Sequence, residues 1–476
     1  MSKFTVKIGF VPVNWDDWNG WAGTPETVGW ASQMRSRCLK AFAEIPGLDV
    51  VFPSEELTRD GLLSSLEDGR KIAGLFRHED VQGIMIGNMN FGMEVAVGEL
   101  LSLMRRDMPI LHFTTRSGPI NDRGERSTDT WCGAFMTAAA IKRRGFIFEH
   151  VRTCNPEESD FARAVETFTR ACCAISRFKG LHIGQLGPRP MLFESQGFNE
   201  QLMQKKFGQM VRTMDLATVF DHIDAINPED AQVKQIVEEL SGYRIEEGTP
   251  QALINQARLE IALQNCAREL GVDCIAGVCW TKLQQHYGIS ACSTFARLNQ
   301  KGLVTACEMD LMGAATMYAM YAASLGEAQP DFIDWTDLHP TEPNTWLAWH
   351  CGNAADSACD PACERRLSRN LRMIQWCENC HGAIETRLKT GPVTCGRLLE
   401  YDGEYTFFYG TGEIVDIPPF TRGAYGWVRV NDIGDWEDKM IECGAIHHGV
   451  LIHDPEVADA LTMFCKFLGI RSVRGK

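Results

Sequence analysis

Apolar residues recur at two different spacings along the first third of the chain. Residues 5–12 (TVKIGFVP), 48–52, 83–87 (GIMIG) and 110–114 are short apolar runs of strand length, whereas 26–45 and 94–106 set apolar residues three and four apart, as on one face of a helix. Strand and helix alternating in this way predict βαβ units and a parallel sheet. The loops that leave such strands at their carboxyl ends, 14–22 (NWDDWNGWA) and 88–93 (NMNFGM), are candidate ligand loops, and ordinary loop filling is the alternative for their Trp and Asn residues.

A helical pattern over 160–178 leads into a strand at 180–186, and the rhythm restarts. A helix over 250–270, a strand at 274–280, an apolar run at 302–306 and a long helix over 310–325 complete this second unit. Gly184 and Gly187 have the spacing of some phosphate turns, but Pro188 and Pro190 follow, so the segment cannot open a helix as a dinucleotide fingerprint must. Beyond this the pattern changes. Residues 393–409 carry Asp402-Gly403 between strand formers, a hairpin signal, and 423–430 (GAYGWVRV) predicts another strand. The expected class is α/β: two parallel-sheet domains over 1–177 and 178–350, then a β-rich domain over 351–476 that closes with a helix over 455–468.

Composition narrows the partners. The formal net charge of −15 repels nucleic acid and anionic membrane surfaces. No run reaches the roughly 18 apolar residues of a membrane span, and residues 1–12 predict a buried strand rather than an export leader, so a cytoplasmic protein is expected. Eighteen cysteines are then expected as free thiols. Cys172, Cys173, Cys266, Cys274, Cys279 and Cys465 sit among apolar neighbours and predict core packing.

Three segments combine ligand-type side chains with strand ends. In Ala306-Cys307-Glu308-Met309-Asp310 an apolar run hands over to a helix; Asp310 reads as the cap of that helix, and Glu308 stands at the junction without such a role. Asp334 lies inside the apolar run Phe332-Ile333-Asp334-Trp335, where burial requires a partner, a ligand or a strand end. His447 and His448 form a histidine-rich turn, with His350 a further member. Carboxylates with imidazoles make a mixed oxygen and nitrogen set that suits Mn²⁺ or a similar divalent cation. Separately, Cys359-x3-Cys363 and Cys377-x2-Cys380 have the spacing of a structural Zn²⁺ site, with free packed thiols as the alternative. Cys377 to His381 also fits a haem attachment motif, which the expected reducing compartment disfavours.

Taken together, these segments resemble the L-fucose isomerase and L-arabinose isomerase superfamily of metal-dependent aldose-ketose isomerases. The resemblance rests on the Glu308 turn, the acidic strand at Asp334 about two dozen residues later, Trp349-His350, and His447-His448-Gly449-Val450 followed by a helix ending in Leu468-Gly469-Ile470. It implies two Rossmann-like domains and a β-rich C-terminal domain. It also implies Glu308 and Asp334 as metal ligands and acid/base pair and His448 as a ligand; His447 could exchange roles with His448, and His350 is a ligand in the arabinose branch only. By the same resemblance the substrate is a small sugar or modified sugar, the reaction passes through an enediol, and the assembly is a homo-oligomer, trimer or hexamer. A non-catalytic sugar-binding or regulatory protein on the same fold is the alternative.

Overall fold

The computed structural model describes residues 2–15, 29–120, 122–126 and 128–476, so most of the candidate loop 14–22 lies outside the described residues. The chain divides into two compact units, Met1–Ser176 with Thr462–Gly469, and Arg177–Leu461 with Ile470–Lys476.

In the first unit, strands β1 (Val6–Val13), β2 (Leu48–Val51), β3 (Gly83–Asn88), β4 (Ile110–Thr114) and β5 (Phe148–His150) form one sheet in the order β2-β1-β3-β4-β5. All its pairings are parallel. The helix Leu66–His78 between β2 and β3 is amphipathic; it buries Ile72, Ala73 and Phe76 and is capped by Ser65. The asparagines of the loop 88–93 are engaged in the fold itself: Asn88 donates to Thr137 Oγ1 and Asn90 to Asn14 Oδ1.

The second unit begins with a parallel sheet of β6 (His182–Leu186), β7 (Met210–Met214), β9 (Cys274–Gly277) and β10 (Val304–Ala306) in the order β10-β9-β6-β7, while β8 (Arg244–Ile245) lies elsewhere. The helix Leu311–Ala323 follows β10 and is buried along its whole length, as its near-continuous apolar sequence requires.

The β-rich part comprises β11 (Pro330–Leu338), β12 (Thr345–His350), β13 (Arg366–Arg369), β14 (His381–Arg387), β15 (Gly391–Tyr401), β16 (Glu404–Val415), β17 (Ala424–Arg429), β18 (His448–Ile452) and β19 (Arg471–Arg474). Six of these close on themselves in the ring β16-β15-β18-β11-β12-β17, with β17 returning to β16 through Ile414↔Val428. Every pairing in the ring is antiparallel, which makes it a barrel without free edges. One apolar cluster draws on all six strands through Ile333, Ala348, Cys395, Phe408, Val428 and Leu451. Side chains alternate along a strand, so Asp334 beside Ile333, and His448 three residues before Leu451, are turned away from that cluster. The hairpin expected at Asp402-Gly403 forms, with φ of 52° and 85° at the two turn residues, as a tight two-residue turn between β15 and β16 requires.

Candidate active site and metal centre

The site is assembled where the carboxyl ends of β9 and β10 meet three neighbouring barrel strands. Chain leaving β10 turns sharply through Glu308 and Met309, both in the left-handed region at φ 58° and 57°, and the turn is tied to β9 by Met309 N donating to Gly277 O at 3.0 Å. Open α/β sheets offer ligands this carboxyl edge. From the barrel, register sets Asp334 on β11 directly opposite both His448 on β18 and Trp349 on β12, one residue before His350. Glu308, Asp334, His350, His447 and His448 thereby converge from four separate stretches of sequence. His448 opens β18 rather than sitting in a turn; His447 precedes it and accepts from Trp335 N at 2.9 Å.

His448 is the hub, with no exposed surface. Its Nδ1–H donates to Asp310 Oδ2 at 2.9 Å, which directs Nε2 toward Glu308 Oε2 at 3.3 Å and Asp334 Oδ1 at 3.8 Å. Donor atoms of Glu308, His447 and His448 lie within 4.8 Å of one another, as do those of Asp334, His350 and His448. Glu308 Oε2, Asp334 Oδ1, His447 Nε2, His448 Nε2 and both ring nitrogens of His350 are buried without a hydrogen-bond partner. So many orphaned donors and acceptors, gathered in two groups that share His448, would be costly in a finished core. The oxygens and imidazole nitrogens are donors of the type that fits a divalent ion such as Mn²⁺.

Burial and neighbouring charge act on these groups in different directions. Burial works against ionisation of Glu308, but the neighbouring histidines, His448 first, hold its carboxyl below the usual range. Burial also opposes the charge on His448, yet Asp310 and Glu308 outweigh it and raise the imidazole to about 9. Asp334 is pushed the other way, to about 7, by burial and by the charge of Glu308. His350 and His447 are both pulled down to about 4, chiefly by burial, so each presents a neutral ring. Neutral imidazole is the form that ligates metal.

Other residues at the site gave no functional signal in the sequence. Asp310 does cap the helix Leu311–Ala323, accepting from Gly313 N at 2.8 Å, but it also holds His448 and receives both terminal nitrogens of Arg397 at 2.5 and 2.9 Å. This is the carboxylate–histidine arrangement that fixes the tautomer of a metal-ligating imidazole. Gln196 Nε2 lies 3.5 Å from His448 Nδ1, and its buried Oε1 has no partner. Phe193 sits 4.8 Å from the ring of His447 and edge-on to Trp280, which in turn meets Trp376, so an aromatic wall adjoins the histidines.

The thiolate pattern expected to hold structural Zn²⁺ does not assemble among the described residues: no three of Cys359, Cys363, Cys377 and Cys380 lie within 4.8 Å of one another as ligands. Strand β14 separates the two halves of the motif. Cys359 bridges to Leu388, just past the end of β14, whereas Cys380 directly precedes its start. A strand of seven residues spans about 23 Å at roughly 3.3 Å per residue. The sulfurs instead make local bonds, Cys359 Sγ to Ala355 O and Cys380 Sγ to Asn370 O.

Comparison with known proteins defines the class. Residues 28–179 match the family described as fucose/sulfoquinovose isomerase, N-terminal domain, and residues 348–474 match L-fucose isomerase, C-terminal domain. The chain belongs to the L-fucose isomerase superfamily and is a sugar isomerase. Its relatives include the sulfoquinovose isomerase of Alkalicoccus urumqiensis, 24% identical over 361 residues that cover 73% of this chain and 76% of that protein. The sulfoquinovose isomerase of Priestia aryabhattai is 20% identical over 84% of this chain and 87% of its own length. That of a Clostridium species (strain MSTE9) is 27% identical over 58% and 60%. No helix among the described residues is long and apolar enough to cross a membrane.

Proposed function

We propose that the chain is a divalent-metal-dependent aldose-ketose isomerase acting on a modified monosaccharide, with a sulfonated hexose as the first candidate because its relatives are named for one. The observation that carries the reading is the convergence of orphaned carboxylate and imidazole atoms from Glu308, Asp334, His350, His447 and His448. A Mn²⁺-type ion held there would supply neutralisation of the negative charge that develops on the sugar during proton transfer. Glu308, Asp334 and His448 are the proposed core of its ligand set, with His350 and His447 beside them.

Two carboxyl groups beside His448 divide the labour of proton transfer. Glu308 takes the proton from C2 of the aldose and Asp334, the more exposed of the two, delivers one to C1, with water returning both carboxyl groups to their starting states between turnovers. The hydroxyl proton on O2 passes to O1, an enediol stands between the two states, and the sugar gains and loses nothing overall. Asp310 keeps the proton of His448 on Nδ1, so that Nε2 stays directed into the site.

Isotope incorporation tests this reading. Asp334 has 24% of its side chain exposed, so its proton exchanges with water between turnovers. Turnover of sulfoquinovose in D₂O should therefore place deuterium at C1 of the ketose, and treatment with a chelator should stop the reaction. Asp334→Asn should lose turnover and label together. Product without label, or an undiminished Asp334→Asn variant, would overturn the mechanism.

A further inference from the structure

A second cluster of donors lies behind Glu308. Strands β9 and β10 are parallel neighbours in the register Ala276↔Ala306, so the loops that leave them run side by side. Cys279 is in one loop and Cys307 in the other, and both are buried. Their sulfurs are 3.4 Å apart, far beyond the roughly 2.05 Å of a disulfide, so both thiols are free. Gln284 donates to Cys279 O at 2.8 Å and pins that loop, while Met309 N on Gly277 O pins the other. A carboxylate oxygen of Glu308 lies within 4.8 Å of both sulfurs, and Glu308, only 6% exposed, has its Oε2 without a hydrogen-bond partner.

This geometry is that of a metal face. Thiolates about 2.3 Å from a tetrahedral zinc stand about 3.8 Å from each other, so the observed pair needs an adjustment of only a few tenths of an ångström. The chemistry of the donors differs from that of the first site. Two sulfurs with one oxygen form a soft set that selects zinc or cadmium, where the oxygen and nitrogen set suits Mn²⁺. Glu308 is the only residue that the two sets share.

We propose that Cys279, Cys307 and Glu308 form a second, thiophilic metal site that takes a zinc-type divalent ion and, by engaging Glu308, shuts down isomerisation. The inhibitory half rests on the role proposed above for Glu308; binding itself does not. The site gives the protein a response to excess soft metal: an ion that reaches the sulfurs competes for the carboxylate that catalysis needs.

Cadmium is the probe, because its thiolate complexes absorb in the ultraviolet and are read without substrate. The full-length protein, kept reduced with a phosphine and supplied with excess Mn²⁺, is titrated with Cd²⁺ while absorbance and then isomerase activity are followed. The expected result is a thiolate-to-cadmium band that saturates as activity is lost. Cys279→Ser and Cys307→Ser should each lower Cd²⁺ affinity by more than the roughly 10- to 100-fold that removal of an outer-shell partner costs a metal site. Cys279→Ala, which preserves apolar packing, should do the same, and circular dichroism identifies any variant that fails to fold. A band that is absent from the wild type, or unchanged in the folded Cys279 variants, overturns the site. Full activity at saturating cadmium overturns the inhibition and leaves the mechanism of turnover to its own test.

Discussion

Replacing Asp310 with Asn should damage the protein twice, once in stability and once in metal affinity. Each carboxylate oxygen accepts two bonds: Oδ1 from Gly313 N at 2.8 Å and Arg397 Nη2 at 2.9 Å, Oδ2 from Arg397 Nη1 at 2.5 Å and His448 Nδ1 at 2.9 Å. An amide offers one oxygen, so whichever way it turns, its NH₂ faces two donors. With NH₂ in place of Oδ2, two charge-assisted bonds are lost at about 1.5–3 kcal/mol each, or about 3–6 kcal/mol in all. That agrees with the roughly 3–5 kcal/mol lost on breaking a buried ion pair, and Arg397 is only 2% exposed. The NH₂ group can be accommodated by His448 only if Nδ1 gives up its proton, which moves the proton to Nε2 and removes the lone pair that a metal would use. Mn²⁺ affinity should fall about 10- to 100-fold. Urea unfolding measures the first effect and titration calorimetry with Mn²⁺ the second. A double-mutant cycle with His448→Asn, read by urea unfolding, isolates the share of the stability loss that runs through the Asp310–His448 bond. Stability within about 0.5 kcal/mol of wild type, a shift no larger than an ordinary surface substitution, would refute the reasoning.

The same calorimetry ranks the histidines. His448 belongs to both donor groups, so His448→Asn should abolish Mn²⁺ binding, whereas His350→Gln and His447→Gln, each in one group, should weaken it by smaller factors; equal losses at all three would contradict the hub role. Asp331 tests the fold instead of the site. Its carboxyl is buried, accepts only from Ala355 N, and is pushed up to about 7 by burial. The unfolded chain ionises this group near pH 4 and the folded chain does not, so wild-type stability should fall by about 1.4 kcal/mol per pH unit between roughly pH 4 and 7 through this group. Asp331→Asn removes that slope, and urea titrations at pH 5 and 7 should show the variant gaining on wild type as pH rises; parallel curves would exclude the effect.

Short-range pattern made much of the site legible. Glu308 stands out because it occupies the junction where an apolar run hands over to a helix, Asp334 because it lies inside an apolar run, and His447-His448 because they form a histidine-rich pair. The strands and helices of the first unit followed from spacing, since parallel-sheet strands are buried on both faces. What escaped were relations between distant segments. Asp310 satisfied a local role as a helix cap, which concealed its hold on His448, 138 residues away. Arg397 was lost in the middle of an apolar strand because nothing local marks a buried guanidinium whose partner lies elsewhere. The closing pair β16–β17 followed no hairpin signal. The cysteine motif failed for the converse reason: sequence spacing counts residues between thiols but not whether an extended strand holds them apart.

The position of β11 between β12 and β18 has a consequence for how the molecule is made. β12 follows β11 at once, but nearly 100 residues separate His350 from His448, and synthesis at about 5–20 residues per second takes roughly 5–20 s to cross that gap. Until β18 emerges from the ribosome, β11 presents an unpaired edge carrying Phe332 and Ile333, with Asp334 not yet facing His448. An open apolar edge of this kind is a template for pairing with another chain. Conditions that slow translation between these two histidines should therefore raise aggregation of the nascent protein more than the same delay elsewhere.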